Sequence, residues 1–358
     1  MNKISFRQDL LPGITHFFVD LSCTALLGRL NLQRPASQII ACATLYNCLA
    51  FAFQLPLGML ADLLKTNRIT AALGCALIAC GAFFTDPLIL CLFIGLGNAC
   101  FHVGAGREAL QNGQGTAGAV GRFVAPGALG IFFGPRLSRF DGLIGIFFPT
   151  VLLLLGLITL FVGEKATSIQ VKANPSVGRQ RLFLIGTCMF LTVLLRAYMG
   201  TLLQYPNLSG FGWTLTLSVC TFAGKFVGGM LADRFGALHS SLFTQLAASV
   251  LLPLSIFFPP LALPGFLLFN TTMAVTATTL YRGLPKYPGT MFGLTTLALF
   301  LGVLPRLLNW HTPFFTWWGV GLLCLLSTAL LLGGLILAGR RDPHAALPGA
   351  VVGPDINS

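Results

Sequence analysis

The sequence predicts an all-α polytopic membrane protein of twelve transmembrane helices, arranged as two six-helix pseudo-symmetric halves. Three observations carry that expectation. Apolar residues make up 55% of the 358-residue chain and charged residues only 9%, where a soluble domain carries roughly 25% charge. The apolar residues fall in runs of bilayer-spanning length, about 20 residues each. One phrase also occurs twice: FAFQLPLGMLADLL at residues 51–64 returns as FAGKFVGGMLADRF at residues 222–235, an offset of 171 residues. A repeat at half the chain length reads as a duplicated membrane bundle, the architecture on which secondary transporters are built.

Taken in order, the spans run over about 11–28, 36–61, 69–85, 87–106, 116–136, 143–163, 182–204, 212–232, 238–258, 260–280, 289–308 and 313–338. Lys3 and Arg7 precede the first run, Asp20 interrupts it, and no small-residue cleavage site follows. This is the pattern of an uncleaved first helix rather than a signal peptide. The second and eighth spans carry the two copies of the repeat. Pro12, Pro56, Pro126 and Pro305 fall where they kink or end helices, which a membrane helix tolerates if neighbours satisfy the freed carbonyls. In the fifth span, Gly118, Gly121, Gly127, Gly130 and Gly134 allow another helix to approach closely. Trp310, Trp317 and Trp318 read as an interfacial aromatic belt.

One long polar connection, EKATSIQVKANPSVGRQR at 164–181, separates the sixth span from the seventh. It divides the chain into an N-terminal half (1–163), a cytoplasmic linker (164–181), a C-terminal half (182–339) and a cytoplasmic tail (340–358). Both copies of the repeat end at the same membrane face, with six helices between them, so the halves run parallel.

The net charge of +12 does not point to nucleic acid, because its placement follows the membrane. With the N-terminus inside, fourteen of the 22 Lys and Arg fall at cytoplasmic ends, among them Lys65, Arg68, Arg107, Arg179, Arg234 and Arg282. Five fall outside (Arg29, Arg34, Arg136, Arg139, Arg306), and Arg122, Arg196 and Lys225 lie within spans. This is the positive-inside bias of a protein with both termini cytoplasmic; the expected location is a bacterial plasma (inner) membrane. The ten cysteines are scattered through the spans with no CxxC pair and read as small apolar residues. No phosphate-cradling loop, metal-ligand spacing or nucleophile–base arrangement occurs. The expectation is therefore of no enzyme, no catalytic residue, no metal and no cofactor.

Both copies of the repeat end in Gly-x-Leu-x-Asp. Gly58 and Gly229 remove a side chain where a neighbouring helix passes; Asp62 and Asp233 follow one turn later near the cytoplasmic boundary. A carboxylate there can bond the N-terminal amides of a facing helix or pair with a cation. Lys65, Arg68 and Arg234 are the nearby cations in sequence, so this cluster is the candidate gate.

GMLADRFG at 229–236 resembles the loop signature of the major facilitator superfamily, which adds Gly236 to the gate. The first copy departs from it, with Leu63 for the usual basic residue and Lys65 for the usual glycine, so Asp62 is expected to gate less strongly than Asp233. Gly130-x-x-x-Gly134-Pro135 resembles the glycine–proline motif of the superfamily's exporters. His16-x-x-x-Asp20, GLGNACFHVGAG at 95–106, GRFVAPGALGIFFGP at 121–135, Arg196 before Ala-Tyr-Met-Gly, and Gly224-Lys225 together resemble its fosmidomycin-resistance branch. The resemblance implies the major facilitator fold and does not fix a substrate.

A charge at the centre of a membrane helix costs about 2.5–3.5 kcal/mol and usually faces a cavity or a partner. Asp20 lies near mid-depth with His16 one turn away on the same face, a pair suited to carrying a proton or to a static structural bond. Arg196 and Lys225 lie near mid-depth in the C-terminal half, where no acid balances them, which fits an anionic ligand or pairing across the halves. His102 and Arg122 join the substrate candidates, clustered with Arg107 and Glu108 toward the cytoplasmic ends of the fourth and fifth spans. The expectation is a monomeric secondary transporter whose partners are a small-molecule solute, protons and the lipid bilayer. Proton-coupled efflux of a small organic anion or drug comes first. Uptake of an anionic nutrient, or a transporter-like receptor that no longer cycles, remain as alternatives.

Overall fold

A computed structural model describes residues 10–162, 178–203, 205, 210–308, 310 and 316–339. Most of the expected linker and the whole expected tail lie outside the described residues, as do Lys3 and Arg7. The helices are α1 (Leu11–Gln33), α2 (Ser37–Leu64), α3 (Arg68–Gly81), α4 (Pro87–Asn112), α5 (Ala117–Leu137), α6 (Leu143–Val162), α7 (Arg179–Leu202), α8 (Phe211–Phe235), α9 (Ala237–Leu254), α10 (Pro259–Gly283), α11 (Pro288–Leu307) and α12 (Trp317–Gly339). Eleven of them are long and apolar enough to cross a bilayer.

The exception is α3, whose 14 residues span about 21 Å at 1.5 Å per residue. It stops short of the expected 69–85 because the chain must turn into α4. There the Asp86 carboxylate accepts from the amides of Leu88 and Ile89 at 2.9 and 3.0 Å, and Pro87 takes the first helical position. Conversely, α4 runs past the expected residue 106 to Asn112, carrying Arg107 and Glu108 into the buried interior.

Prolines leave visible marks. α2 widens into a π turn over Cys48–Ala52, one turn before Pro56, and α6 opens with another over Leu143–Phe147 just before Pro149. A proline ring pushes away the carbonyl four residues back, and a π turn absorbs the displaced bond. α10 is broken into Ala262–Asn270 and Met273–Gly283, and no proline lies at that break.

Packing follows the duplication. In the first half α1 lies on α5 and α3 on α4 and α6; in the second, α7 lies on α11, and α9 on α10 and α12. The halves meet through α2 with α11, α5 with α8, α4 with α11, and α5 with α10. The glycine stripe of α5 serves two neighbours. A side chain at Gly121 would meet the carbonyl of Lys225 on α8, whereas one at Gly130 would meet the backbone of Phe17 and Leu21 on α1.

The turns after α2 and α8 also correspond. Gly236 has φ +85°, which glycine adopts without strain; its repeat-matched counterpart Lys65 sits at φ 54°, a left-handed conformation that costs a side-chain-bearing residue about 1–2 kcal/mol.

Candidate functional site

A cavity of about 250 Å³ lies between the halves, and every helix that packs across the interface contributes to its wall. From the first half come His16 and Asp20 of α1, Asn47, Phe51 and Gln54 of α2, and His102 of α4. The second half contributes Lys225 of α8, Thr276 of α10, and Phe292, Thr295 and Thr296 of α11. A second lobe of about 260 Å³, lined by Arg196, Thr221, Asn270 and Thr276, shares Lys225 with the first. Lys225 thus stands where the two lobes join.

The α1–α4 wall is a tight polar cluster in an apolar setting. Asp20, His16 and His102 are buried, at 7%, 5% and 8% exposure. The Asp20 carboxylate lies 3.1 Å from His16 Nε2 and 3.8 Å from His102 Nε2, and the two Nε2 atoms are 2.8 Å apart. Asn98 donates to Asp20 at 3.3 Å. His16 Nδ1 faces the carbonyl of Phe123 at 2.7 Å, and His102 Nδ1 faces that of Asn98 at 2.9 Å. The i, i+4 spacing places His16 and Asp20 on one face of α1; the absence of a side chain at Gly127 of α5 leaves room for both.

These three groups are the one His/Cys/Asp/Glu set among the described residues close enough to share an ion, with ligand atoms within 4.8 Å of one another. The set does not fit a transition-metal dication. Two imidazole nitrogens bound tetrahedrally at about 2.0–2.1 Å stand roughly 3.3 Å apart, not 2.8 Å. Asp20 is also the one acid on a cavity wall that already carries Lys225, so a dication would leave a large uncompensated charge in a membrane interior.

The two cations of the second half differ in their commitments. Arg196 donates to the hydroxyl of Thr272 and to the carbonyl of Phe269 at 2.5 Å, with its guanidinium 4.8 Å from the Phe269 ring. It thereby bridges the break in α10, satisfying backbone that the interrupted helix cannot. Lys225 has no hydrogen-bonded or ion-paired partner among the described residues, and its charge reaches both Asp20 and His102.

Gln54 of α2, fully buried, occupies the position that the repeat matches to Lys225. It donates to the carbonyl of Ala50 at 2.5 Å and leaves its own oxygen without a partner at the cavity wall. Together with Asn47 and the threonines of α10 and α11, it is a site-lining residue that sequence reasoning passed over, as is Asn98, which bonds Asp20. The available signal was a polar side chain inside a repeated apolar segment.

Phe123 of α5 and Phe292 of α11 meet across the halves with ring centroids 6.1 Å apart. Elsewhere between the halves, Asp62 accepts from the amides of Gly289 and Thr290 at 2.9 and 2.8 Å and from the Thr290 hydroxyl at 2.8 Å. Asp233 accepts from the amides of Ala117 and Gly118 at 2.9 and 2.7 Å. Gly58 and Gly229 make these approaches possible, since a Cβ there would strike the carbonyls of Gly289 and Ala117 respectively.

The cation at Asp62 is Arg107, which donates to it at 2.9 Å and also to Asn67. Lys65 and Arg234 point elsewhere: Lys65 is exposed, and Arg234 lies over the Phe235 ring at 5.3 Å. Arg68 starts α3. Arg122 is outside the cavity lining and stands with Asp233 against Gly118. His102 is brought to the cavity and away from Arg107, the neighbour in sequence with which it was grouped.

The overall fold has counterparts among solved structures. The E. coli fucose:proton symporter superposes with a TM-score of 0.62 at 14% identity, covering 93% of this chain and 98% of that one. A second structure of that transporter, in the outward conformation, gives 0.62 at 15% identity, with 91% and 98% covered. A bacterial homologue of the iron transporter ferroportin, in an outward-facing state, gives 0.55 at 13% identity, with 93% and 98% covered. The fold is that of the major facilitator transporters. No protein-family model and no curated protein sequence matches the chain. The cavity that holds Asp20 and Lys225 lies between the two halves of that fold.

Proposed function

We propose that the chain is a proton-coupled secondary transporter of a small organic anion, working by alternating access between its two halves. The observation that supports this reading most directly is the shared cavity, with a buried carboxylate–histidine cluster on one wall and an unpartnered ammonium, Lys225, on the other. An anion at Lys225 gains a charge-assisted bond; a proton held on the opposite wall adds to its attraction. Proton and anion favour one another's binding, which is the condition for their moving together, as in uptake driven by an inward proton gradient. The clamps at Asp62 and Asp233 support a state closed on the cytoplasmic side, in a bacterial inner membrane with both termini inside.

A second reading is proton-driven efflux, and the observation in its favour is Gly130-x-x-x-Gly134-Pro135, the stretch of α5 that resembles exporters. Gly130 and Gly134 are seated directly against α1, the helix that carries Asp20.

Thermal unfolding of the purified protein tests the substrate class. A bound ligand raises apparent stability, so organic anions such as fosmidomycin and gluconate are screened against tetraphenylphosphonium. Stabilisation by an anion, lost in Lys225→Gln, is the expected result; stabilisation by the cation alone would exclude the anion site.

A further inference from the structure

The two histidines of the cavity face each other in a way that fixes their protons. His16 Nδ1 and His102 Nδ1 each lie at hydrogen-bond distance from a backbone carbonyl, of Phe123 and Asn98 respectively. A carbonyl only accepts, so both Nδ1 atoms carry hydrogen. If the rings were neutral, both Nε2 atoms would be bare lone pairs, pointed at one another across 2.8 Å. That contact is repulsive without a proton in it. A proton on Asp20 instead would satisfy His16 Nε2 at 3.1 Å and still leave the Nε2–Nε2 contact empty.

We propose that His16 and His102 share one proton in an Nε2–H···Nε2 bond, with the Asp20 carboxylate as counter-ion, and that this pair, rather than the carboxyl of Asp20, is the protein's proton-binding site. Imidazolium, imidazole and carboxylate then sum to zero charge, which suits a cluster packed against the rings of Phe101 and Phe123. Among the described residues, the other titratable groups that face it are Lys225 of α8, Tyr46 of α2 and Cys23 of α1. Tyr46 and Cys23 are neutral, so among these groups Lys225 is the charge the cluster does not balance.

The arrangement also couples proton release to helix position. His16 is tied to α5 through Phe123, and His102 belongs to α4. When the shared proton leaves, the facing lone pairs repel, and α1 with α5 is pushed from α4. The proposal deepens the proton-coupling reading and rests on it for the proton's purpose. The measurement below reports the proton whether or not the protein transports, so its failure would leave the transporter reading standing.

The test is nitrogen NMR of protein labelled at its five histidines, purified in detergent micelles, with His16→Gln and His102→Gln as assignment variants. If either fails to fold, Asp20→Asn identifies the pair by perturbing both of its histidines at once. At neutral pH both Nδ1 signals should fall in the protonated range, and the two Nε2 signals should share one proton. Raising the pH should remove that proton from both rings in a single step, and one equivalent of zinc chloride should leave the spectrum unchanged. Two independent titrations, or bare Nε2 atoms on both rings throughout, would overturn the proposal. So would stoichiometric zinc binding, which would make the cluster a metal site.

Discussion

Asp62 and Asp233, 171 residues apart in the repeat, each cap the first turn of a helix belonging to the opposite half. Asp62 of α2 holds the amides of Gly289 and Thr290 at the start of α11; Asp233 of α8 holds those of Ala117 and Gly118 at the start of α5. Each carboxylate meets the positive end of a helix dipole. The two sets of bonds are related by the repeat and both join the halves; we propose that both release when this end opens.

The clamps differ in burial and partners, from which we predict gating strengths in the opposite order to that expected from their sequence motifs. Asp62 is 3% exposed in its side chain and also neutralises Arg107, whereas Asp233 is exposed. Asp62→Asn strands a buried guanidinium, at a cost of about 3–5 kcal/mol; Asp233→Asn loses an exposed helix-terminus interaction of about 0.5–1 kcal/mol. Cysteines introduced along α2 and α8 at the clamped end should react faster with a membrane-impermeant thiol reagent in both variants, and more so in Asp62→Asn. Equal labelling in wild type and Asp62→Asn would count against the clamp.

Gly58 and Gly229 should act as wedges when filled. Gly58→Val places methyl groups where the Gly289 carbonyl now lies, and Gly229→Val does so at Ala117. Overpacking of this kind costs about 1–3 kcal/mol, and it falls on the closed state alone. Both variants should therefore shift the labelling pattern toward an open clamped end while remaining folded. A loss of fold with no shift would mean that these glycines pack the bundle without gating it.

Lys225 and Arg196 should separate by mutation. Lys225→Gln, which copies Gln54, should weaken an anionic ligand at least about tenfold, a change of roughly 1.4 kcal/mol, and leave the melting temperature close to wild type. Arg196→Gln removes the donors that satisfy Phe269 and Thr272 at the break in α10. It should lower stability by about 1–3 kcal/mol. Isothermal titration and thermal unfolding, run on both variants, check the division of labour. Equal effects on binding and stability in both would show that the two cations form one site.

At the turn after α2, Lys65→Gly should stabilise the protein by about 1 kcal/mol. It relieves the left-handed backbone at φ 54° and restores what Gly236 provides in the second copy. Thermal unfolding reads the change, and a lower melting temperature would show that the Lys65 side chain contributes more than its strained backbone costs.

Much of the architecture was legible because membrane physics writes itself into one dimension. Apolar runs give the helices, the two copies of Gly-x-Leu-x-Asp give the duplication, and the i, i+4 spacing of His16 and Asp20 gives half of the polar cluster. Contacts between distant helices leave no such trace. Arg107 sits one helical turn from Gly104 and looks like a boundary charge; its partners Asp62 and Asn67 lie 45 and 40 residues away. His102 lies 86 residues from His16, and only the packing of α1 with α4 brings them together. Arg196 reads as an unpaired cation in sequence because its acceptors include a backbone carbonyl, Phe269, freed by a helix break that no proline announces.

We propose that the cavity couples a proton on the Asp20 wall to an anion at Lys225. Proton flux in proteoliposomes tests it most directly, using a pH-sensitive dye trapped in the lumen and an anion that stabilises the purified protein. Adding that anion outside should acidify the lumen of wild-type vesicles as proton and anion enter together. Asp20→Asn should abolish the acidification while still exchanging labelled anion for unlabelled. Anion binding with neither proton movement nor anion exchange in wild type, or full proton flux retained in Asp20→Asn, would contradict the account.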